Sequence, residues 1–454
     1  MIRSTQIILM IIILFPYYAF SLPSSSDYNV PSSYQPIGSG ARAIGMGGAF
    51  IGVADDATAA SWNPGGLVQL EKSEVSIVGT FLRRKEDISL NESTLFLEPQ
   101  TVNLDSLNYF SLSYCFTFLQ RNMVVSLNYQ NLYDFNREWR FPVPVSLENA
   151  SIDMNIDFVS EGKISAIGLA YSLEIHPKFS LGITFNYWED NFSRNTWETT
   201  STSNTRIKTE TMAQNTFKES RYTYQMDNGF NTNIGFLWHI TPSLSLGGVY
   251  KARFTADLSQ KSTTQDITSI IFHDKPDLNS ETETIKTKKS QNELKMPMSY
   301  GLGLACKITN LWTLSLDIYR TEWDEFILKT SEGEFSPLFA LPTDDSSLIP
   351  STIPTIKPTH QIRLGSEYLV INKQQQTIVP FRAGIFYDPV PGKGSPENLW
   401  GFSIGTGFSK SPYNFDIAFQ YRRGSSFGED YNLKTIQSYD ISEAILYTSL
   451  IYHF

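Results

Sequence analysis

The stretch YNFDIAFQYR, Tyr413 to Arg422, reads with a period of two. Tyr413, Phe415, Ile417, Phe419 and Tyr421 fall on one face, and Asn414, Asp416, Gln420 and Arg422 on the other. That is a strand whose two faces meet different surroundings. The alternation returns with Leu181, Ile183, Phe185 and Tyr187 against Ser180, Gly182, Thr184 and Asn186. It returns again with Trp312, Leu314, Leu316 and Ile318 against Thr313, Ser315 and Asp317. Runs of about ten residues are the length a tilted strand needs to cross a bilayer.

Outward from these runs, such segments are expected near 74–84, 107–119, 121–134, 163–176, 178–190, 229–240, 242–256, 296–309, 311–326, 358–371, 377–388, 398–409, 412–424 and 442–454. They number fourteen, an even count. Tight connections fall around Gln120, His176-Pro177, Thr241-Pro242, Thr309-Asn310, Asn372-Lys373 and Lys410-Ser411, and the intervening connections are longer. Soluble sandwiches show no such segregation of short and long ends, whereas outer-membrane barrels do. Hydrocarbon offers no water to backbone amides, so every strand must pair on both sides and the sheet must close. The chain ends LYTSLIYHF, with Leu446, Leu450, Tyr452 and Phe454 in one phase, and this ending resembles the recognition signal of outer-membrane barrels. The expectation is an all-β fold: a fourteen-stranded antiparallel transmembrane β-barrel over 74–454, in a bacterial outer membrane.

Composition agrees. Residues Ile7 to Leu14 are apolar behind a single Arg3, and Ala19-Phe20-Ser21 offers small residues at the cleavage-determining positions, so 1–21 reads as a signal peptide. Beyond it no apolar run is long enough for a spanning helix, and mean hydropathy is -0.20. A net charge of -10 without a basic block excludes nucleic acid as a partner. The two cysteines, Cys115 and Cys306, are too few for a disulfide framework. Their phases put Cys115 toward the lumen with Ser111, Ser113 and Thr117, and Cys306 toward lipid with Tyr300, Leu302 and Leu304.

Residues 22–73 precede the barrel and are too few for a core of their own. Asp55 or Asp56 caps a short helix through Trp62 in this reading, and Pro64 ends it. Inward positions such as Gly301, Gly303, Ala305, Gly401, Ser403, Gly405 and Gly407 are small and leave lumen volume. A segment built on Gly45, Gly47, Gly48 and Ala49 is suited to fill it as a plug, and Gly65 and Gly66 are expected to use backbone angles denied to other residues.

The run GARAIGMGGAFIGVADDATAASWNPGGL, Gly40 to Leu67, resembles the hatch of long-chain fatty acid transporter (FadL-like) outer-membrane barrels, whose plug carries an Asn-Pro-Ala motif. Asn63-Pro64-Gly65 stands at that place, with glycine where the family pattern has alanine. The resemblance implies a fourteen-stranded barrel that takes up hydrophobic small molecules such as fatty acids or aromatic hydrocarbons. It further implies passage from an outer groove to a lumen pocket and then laterally through the wall, passively, without a cofactor, among outer-membrane lipids. Some relatives resemble secretion-machinery shuttles that hold an exported protein partner at the surface.

Ligand-binding candidates are the cations placed in the inward phase: Lys251, Arg253, Arg363, Arg382 and Arg422. They have the chemistry to bind a fatty carboxylate by charge-assisted hydrogen bonds, or to pair with lumen acids such as Asp317, Glu367 and Asp416. GFSIG at Gly401 to Gly405 matches a nucleophile-elbow pattern but lies inside an alternating strand, which makes Ser403 a small lumen residue and not a nucleophile. GSGARA from Gly38 lacks the strand before it that a dinucleotide site requires. The five histidines are scattered, without metal-site spacing. Stretches 190–228 and 257–296 are read as long polar outer loops, with Trp188, Phe192 and Trp197 offering a local apolar patch.

Overall fold

Alternation demands two environments, and the computed structural model of the protein supplies them with a closed sheet. The described residues are 38–90, 99–147, 149–331, 333–335, 356–391, 396, 398–425 and 436–454. The expected signal peptide, 1–21, lies outside them. Along the chain come β1 (Glu74–Leu90), β2 (Gln100–Phe118), β3 (Arg121–Asp134), β4 (Arg137–Leu147) and β5 (Ala150–His176). Next are β6 (Phe179–Trp188), β7 (Thr196–Thr209), β8 (Met212–Thr241), β9 (Leu244–Lys251) and β10 (Phe254–Phe272). They are followed by β11 (Ser280–Met296), β12 (Ser299–Thr309), β13 (Trp312–Thr321), β14 (Ile327–Thr330) and β15 (Gly333–Phe335). The last are β16 (Thr359–Asn372), β17 (Thr377–Tyr387), β18 (Trp400–Lys410), β19 (Tyr413–Gly424) and β20 (Ile436–His453).

Fourteen of these form the ring, each antiparallel to the next: β1, β2, β3, β5, β6, β8, β9, β12, β13, β16, β17, β18, β19 and β20. Closure is made by β20 on β1, from Glu74↔His453 to Leu90↔Ile436. Leu119 and Gln120 both take positive φ, 50° and 59°, which lets two residues reverse the chain between β2 and β3. The wall turns its apolar side chains outward. Ile77, Phe81, Leu302 and Ile385 are exposed, while Ser76, Ser111, Ser126 and Asp317 are buried inside. This inside-out distribution suits lipid outside the ring. The Cys115 thiol donates to the carbonyl of Lys72, on the segment inside the ring, at 3.2 Å. Cys306 pairs in register with Leu244 and Leu314 on the wall, and both thiols are free.

The outer connections differ from the reading as loops. β4, the first half of β5, β7, the first half of β8, β10, β11, β14 and β15 pair in that order as a second antiparallel sheet. β8 alone has 30 residues, about 100 Å at 3.3 Å per residue. The upper sheet buries scattered residues such as Trp197, Tyr224 and Leu258, while a run such as Ser280 to Lys289 is exposed throughout, so no continuous apolar alternation marks it. Its runs of β-branched threonine favour the extended backbone all the same.

Candidate functional site

Asn63 is buried inside the ring, against the wall strand β8. Its side-chain oxygen accepts the Gly65 N–H at 3.0 Å, and its nitrogen donates to the carbonyls of Ile51 at 2.9 Å and Phe236 at 2.8 Å. The short helix Ala59–Trp62 ends there, and Pro64 opens a 3-10 helix, Pro64–Gln69. Proline therefore stops one helix and starts the next, since its fixed φ and missing N–H suit a first helical position. The capping expectation needs correcting. Thr58 is the N-cap residue, Asp56 accepts from its N–H and hydroxyl, and Asp55 is taken by Arg42 at 2.6 Å.

The segment from Gly38 to Leu70 is held from all sides by wall side chains. Ser449 accepts from Ala41 N–H at 2.7 Å, Ser403 from Gly47 N–H at 2.8 Å, and one oxygen of Asp317 from the N–H groups of Phe50 and Ile51. Ser315 donates to Ala49, Ser180 to Gly65 and Arg363 to Gly47. Strands on opposite sides of the ring thus grip one backbone, and Phe50, Trp62 and Leu67 are wholly buried between them. Wall glycines make the fit possible: a Cβ on Gly235 would stand 2.2 Å from Asn63 Oδ1, and one on Gly182 2.2 Å from the Pro64 carbonyl. Gly65 and Gly66 do not take positive φ, contrary to expectation. Close approach is what requires them, since added Cβ atoms would lie 2.7 Å from Phe236 Cα and 2.2 Å from the Ala54 carbonyl. Left-handed angles occur instead at Gly47 and Gly48, +70° and +72°.

The five candidate cations separate into three situations. Arg363, Arg382 and Arg422 are buried among acids: Arg363 with Asp388, Arg382 with Glu367 and Asp416, Arg422 with Glu443. Lys251 stands 5.8 Å from the Tyr319 ring centre and opposite Asn233 and Ser299 in register. Arg253 is not in the inward phase. It falls in the break between β9 and β10, 67% exposed and bonded to Glu325 at 2.8 Å, because β9 ends at Lys251 and the alternation stops there. Sequence reading missed Arg42, which bridges Asp55 to Glu367, and Arg84, which meets Glu443 at 2.6 Å. Arg84 and Glu443 sit on inward positions of strands, a signal that was present.

Above the plug lies a buried apolar cluster. Trp188, Trp197, Tyr224, Phe326, Met226 and Leu258 are among its members, with Phe254 packed against it. Phe135 and Trp197 stack at 4.5 Å, Trp197 and Tyr224 at 5.0 Å, and Trp188 and Phe254 at 5.2 Å. Trp188 also donates to Asn231 at 3.0 Å. Two of the three residues expected to form an apolar patch are therefore in it, and Phe192 is 77% exposed.

Among the described residues the wall is incomplete between β2 and β3. The ladder between β2 and β3 ends at Tyr109↔Gln130, although β2 begins at Gln100 and β3 runs to Asp134. Both flanks slip register here, at Val78/Gly79 and at Asn131/Tyr133. A cavity of about 610 Å³ occupies the gap, and its lining includes lumen-phase Thr80 and Ser106 with lipid-phase Phe81 and Leu107.

A plugged ring of fourteen strands with a buried aromatic cluster invites comparison with known transport barrels. The family model for outer membrane protein transport proteins (OMPP1/FadL/TodX) matches residues 35–426. The chain belongs to this family. Solved structures agree in fold. A Pseudomonas aeruginosa FadL homologue aligns with a TM-score of 0.57 at 14% identity, over 94% of this chain and 100% of that one. The Pseudomonas putida toluene transporter TodX aligns at 0.55 and 13%, over 92% and 99%. The CymD monoaromatic hydrocarbon channel aligns at 0.51 and 14%, over 93% and 99%. A search of curated proteins finds no match. Membership of the FadL/TodX family makes this chain an outer-membrane β-barrel of a family of channels for hydrophobic compounds, a transport family and not an enzymatic one.

Proposed function

We propose that the protein admits small hydrophobic molecules across the outer membrane by passive diffusion, with aromatic hydrocarbons and long-chain fatty acids as the candidate cargo. The stacked aromatic cluster above the plug carries this reading, as the apolar surface against which a ligand would pack. A ligand leaving water for that surface gains roughly 25 cal/mol for each Å² of apolar surface it buries, and no cofactor or energy source is needed. The segment 22–73, of which 38–73 are described, is read as the hatch, with Asn63, Pro64 and Gly65 at its turn. The β2/β3 gap supports a lateral exit, because a molecule that leaves sideways enters lipid and never has to cross the plug.

In this reading Lys251, beside the Tyr319 ring, and the arginines Arg363, Arg382 and Arg422 are the candidate cations for an acidic headgroup, and the arginines take it only in exchange for the carboxylates they hold. A second reading rests on the outer sheet, whose polar, projecting strands suit contact with an exported protein. Purification in mild detergent followed by mass spectrometry of whatever accompanies the protein separates the two. Fatty acids or aromatic compounds in the lumen support the channel, and a stoichiometric protein with an empty lumen supports the shuttle.

A further inference from the structure

Arg83, Lys85 and Arg423 stand together on the outward face of the ring. In register, Arg423 faces Trp400 on β18 and Ser442 on β20, and Ser442 in turn faces Lys85 on β1. Arg83 lies one outward position lower, across from Ala444. With strands about 4.8 Å apart, the three cations border two small side chains within about 10 Å. The Arg423 and Lys85 side chains are 65% and 48% exposed, and Arg83 is exposed as well.

Their height follows from the strands. Val75 to Lys85 on β1 and Tyr413 to Arg423 on β19 each rise ten residues from the closed end. A rise of 3.3 Å per residue at a tilt near 40° makes this about 25 Å, the height of the apolar band on such barrels. Below lie exposed Phe81, Phe402 and Phe415, and beside Arg423 is Trp400, 64% exposed. The cations are therefore level with the outer headgroups. Beneath them β20 presents Ala444, then Leu446 facing Phe81, then Thr448 facing Gly79, so an apolar strip of wall lies under the cluster.

The countercharges are few. Asp87 is 3.0 Å from Lys85 and Asp440 3.8 Å from Arg423, both partly exposed pairs of a kind that contributes little. Among the described residues no acid pairs with Arg83. On the far side of the ring, by contrast, Arg320 is tied to Glu322 at 2.7 Å and 3.0 Å.

We propose that this surface binds a phosphate-bearing acylated lipid of the outer leaflet, with the phosphate among Arg83, Lys85 and Arg423 and an acyl chain against Ala444, Leu446 and Phe81 below them. Arg and Lys are suited to phosphate oxygens, and a basic cluster at a membrane surface draws anionic headgroups. The proposal needs only a barrel in the outer membrane, so it stands or falls separately from the channel reading.

The test is native mass spectrometry of the full barrel in phosphatidylcholine nanodiscs doped with bis-phosphorylated lipid A or with its dephosphorylated form. The wild type is expected to retain the phosphorylated lipid and not the other. The triple variant Arg83→Gln, Lys85→Gln, Arg423→Gln should lower retention on the order of tenfold or more. The variant Arg83→Lys with Arg423→Lys should keep most of it, which separates lost charge from a damaged barrel. Equal retention of both lipids, unchanged retention in the triple variant, or displacement by millimolar inorganic phosphate would each overturn the proposal.

Discussion

The side-chain amide of Asn63 donates to the Phe236 carbonyl at 2.8 Å, across the boundary between plug and wall. With its bonds to Ile51 and Gly65 it ties two turns of the plug to strand β8. Asn63→Ala removes three hydrogen bonds from a dry interior, a loss of about 1 kcal/mol or more apiece. The expected outcome is faster hydrogen exchange over 38–70 in a protein that still folds and shifts on heating like the parent, because closed strand pairing holds the barrel. Unchanged exchange in that segment would remove Asn63 from this role.

Adding Gly65→Val to Asn63→Ala goes further, since the new Cβ would stand 2.7 Å from Phe236 Cα. Backbone on both sides cannot yield without moving the plug. Single-channel recording should show larger or more frequent openings than the parent, with the membrane-inserted barrel intact. A double variant that leaks and transports like the parent reduces the turn to structural spacing.

Asp56 supplies a pH dependence. Burial raises its carboxyl from the ordinary 3.8 to about 6, against the pull of Arg42 and the Thr58 hydrogen bond. A raised folded value means that docking takes up a proton. The plug is held more tightly as pH falls through about 6, with the gain complete below 3.8. Exchange protection of 38–70 should rise between pH 7.5 and pH 5, and Asp56→Asn should flatten that rise. Protection that falls on acidification in the parent, but not in Asp56→Asn, contradicts the assignment.

Trp188 and Trp197 test the aromatic cluster. Replacing both with Ala removes the faces on which Phe254, Phe135 and Tyr224 stack, and uptake of an aromatic or fatty substrate should fall several-fold at low concentration, where binding limits entry. Trp188 is the last residue of wall strand β6 and Trp197 lies at the start of upper-sheet strand β7, so assembly of the lower ring should be untouched.

The lower ring was readable because lipid and lumen impose opposite demands on alternate residues, and Tyr413 to Arg422 or Arg121 to Asp134 show it directly. β3 runs from Arg121 to Asp134 as the alternation marks it. The upper sheet was not readable: Thr199 to Thr209 carries a single apolar residue, Ile207, and without an apolar phase strand looks like loop. The site was legible in parts. Asn63-Pro64-Gly65 stood out by motif, and Ser403 was correctly taken as a lumen residue, where it accepts from the Gly47 N–H. Arg253 failed because a break after Lys251 resets the phase, which period-two counting cannot detect. The partners of Arg382 and Arg422 lie on other strands, 34 or fewer residues away in sequence but fixed only by register. The β2/β3 gap depends on where pairing stops, which no single strand records.

The central claim is that hydrophobic molecules cross by this barrel without an energy source, and uptake by cells lacking their own channel of this kind tests it most directly. Expression of the protein should speed the entry of radiolabelled toluene or oleate, with the gain persisting after the proton gradient is collapsed and shrinking in the Trp188→Ala, Trp197→Ala variant. Entry no faster than in cells carrying an empty vector, for both compounds and with the barrel shown to be folded in the outer membrane, would contradict it.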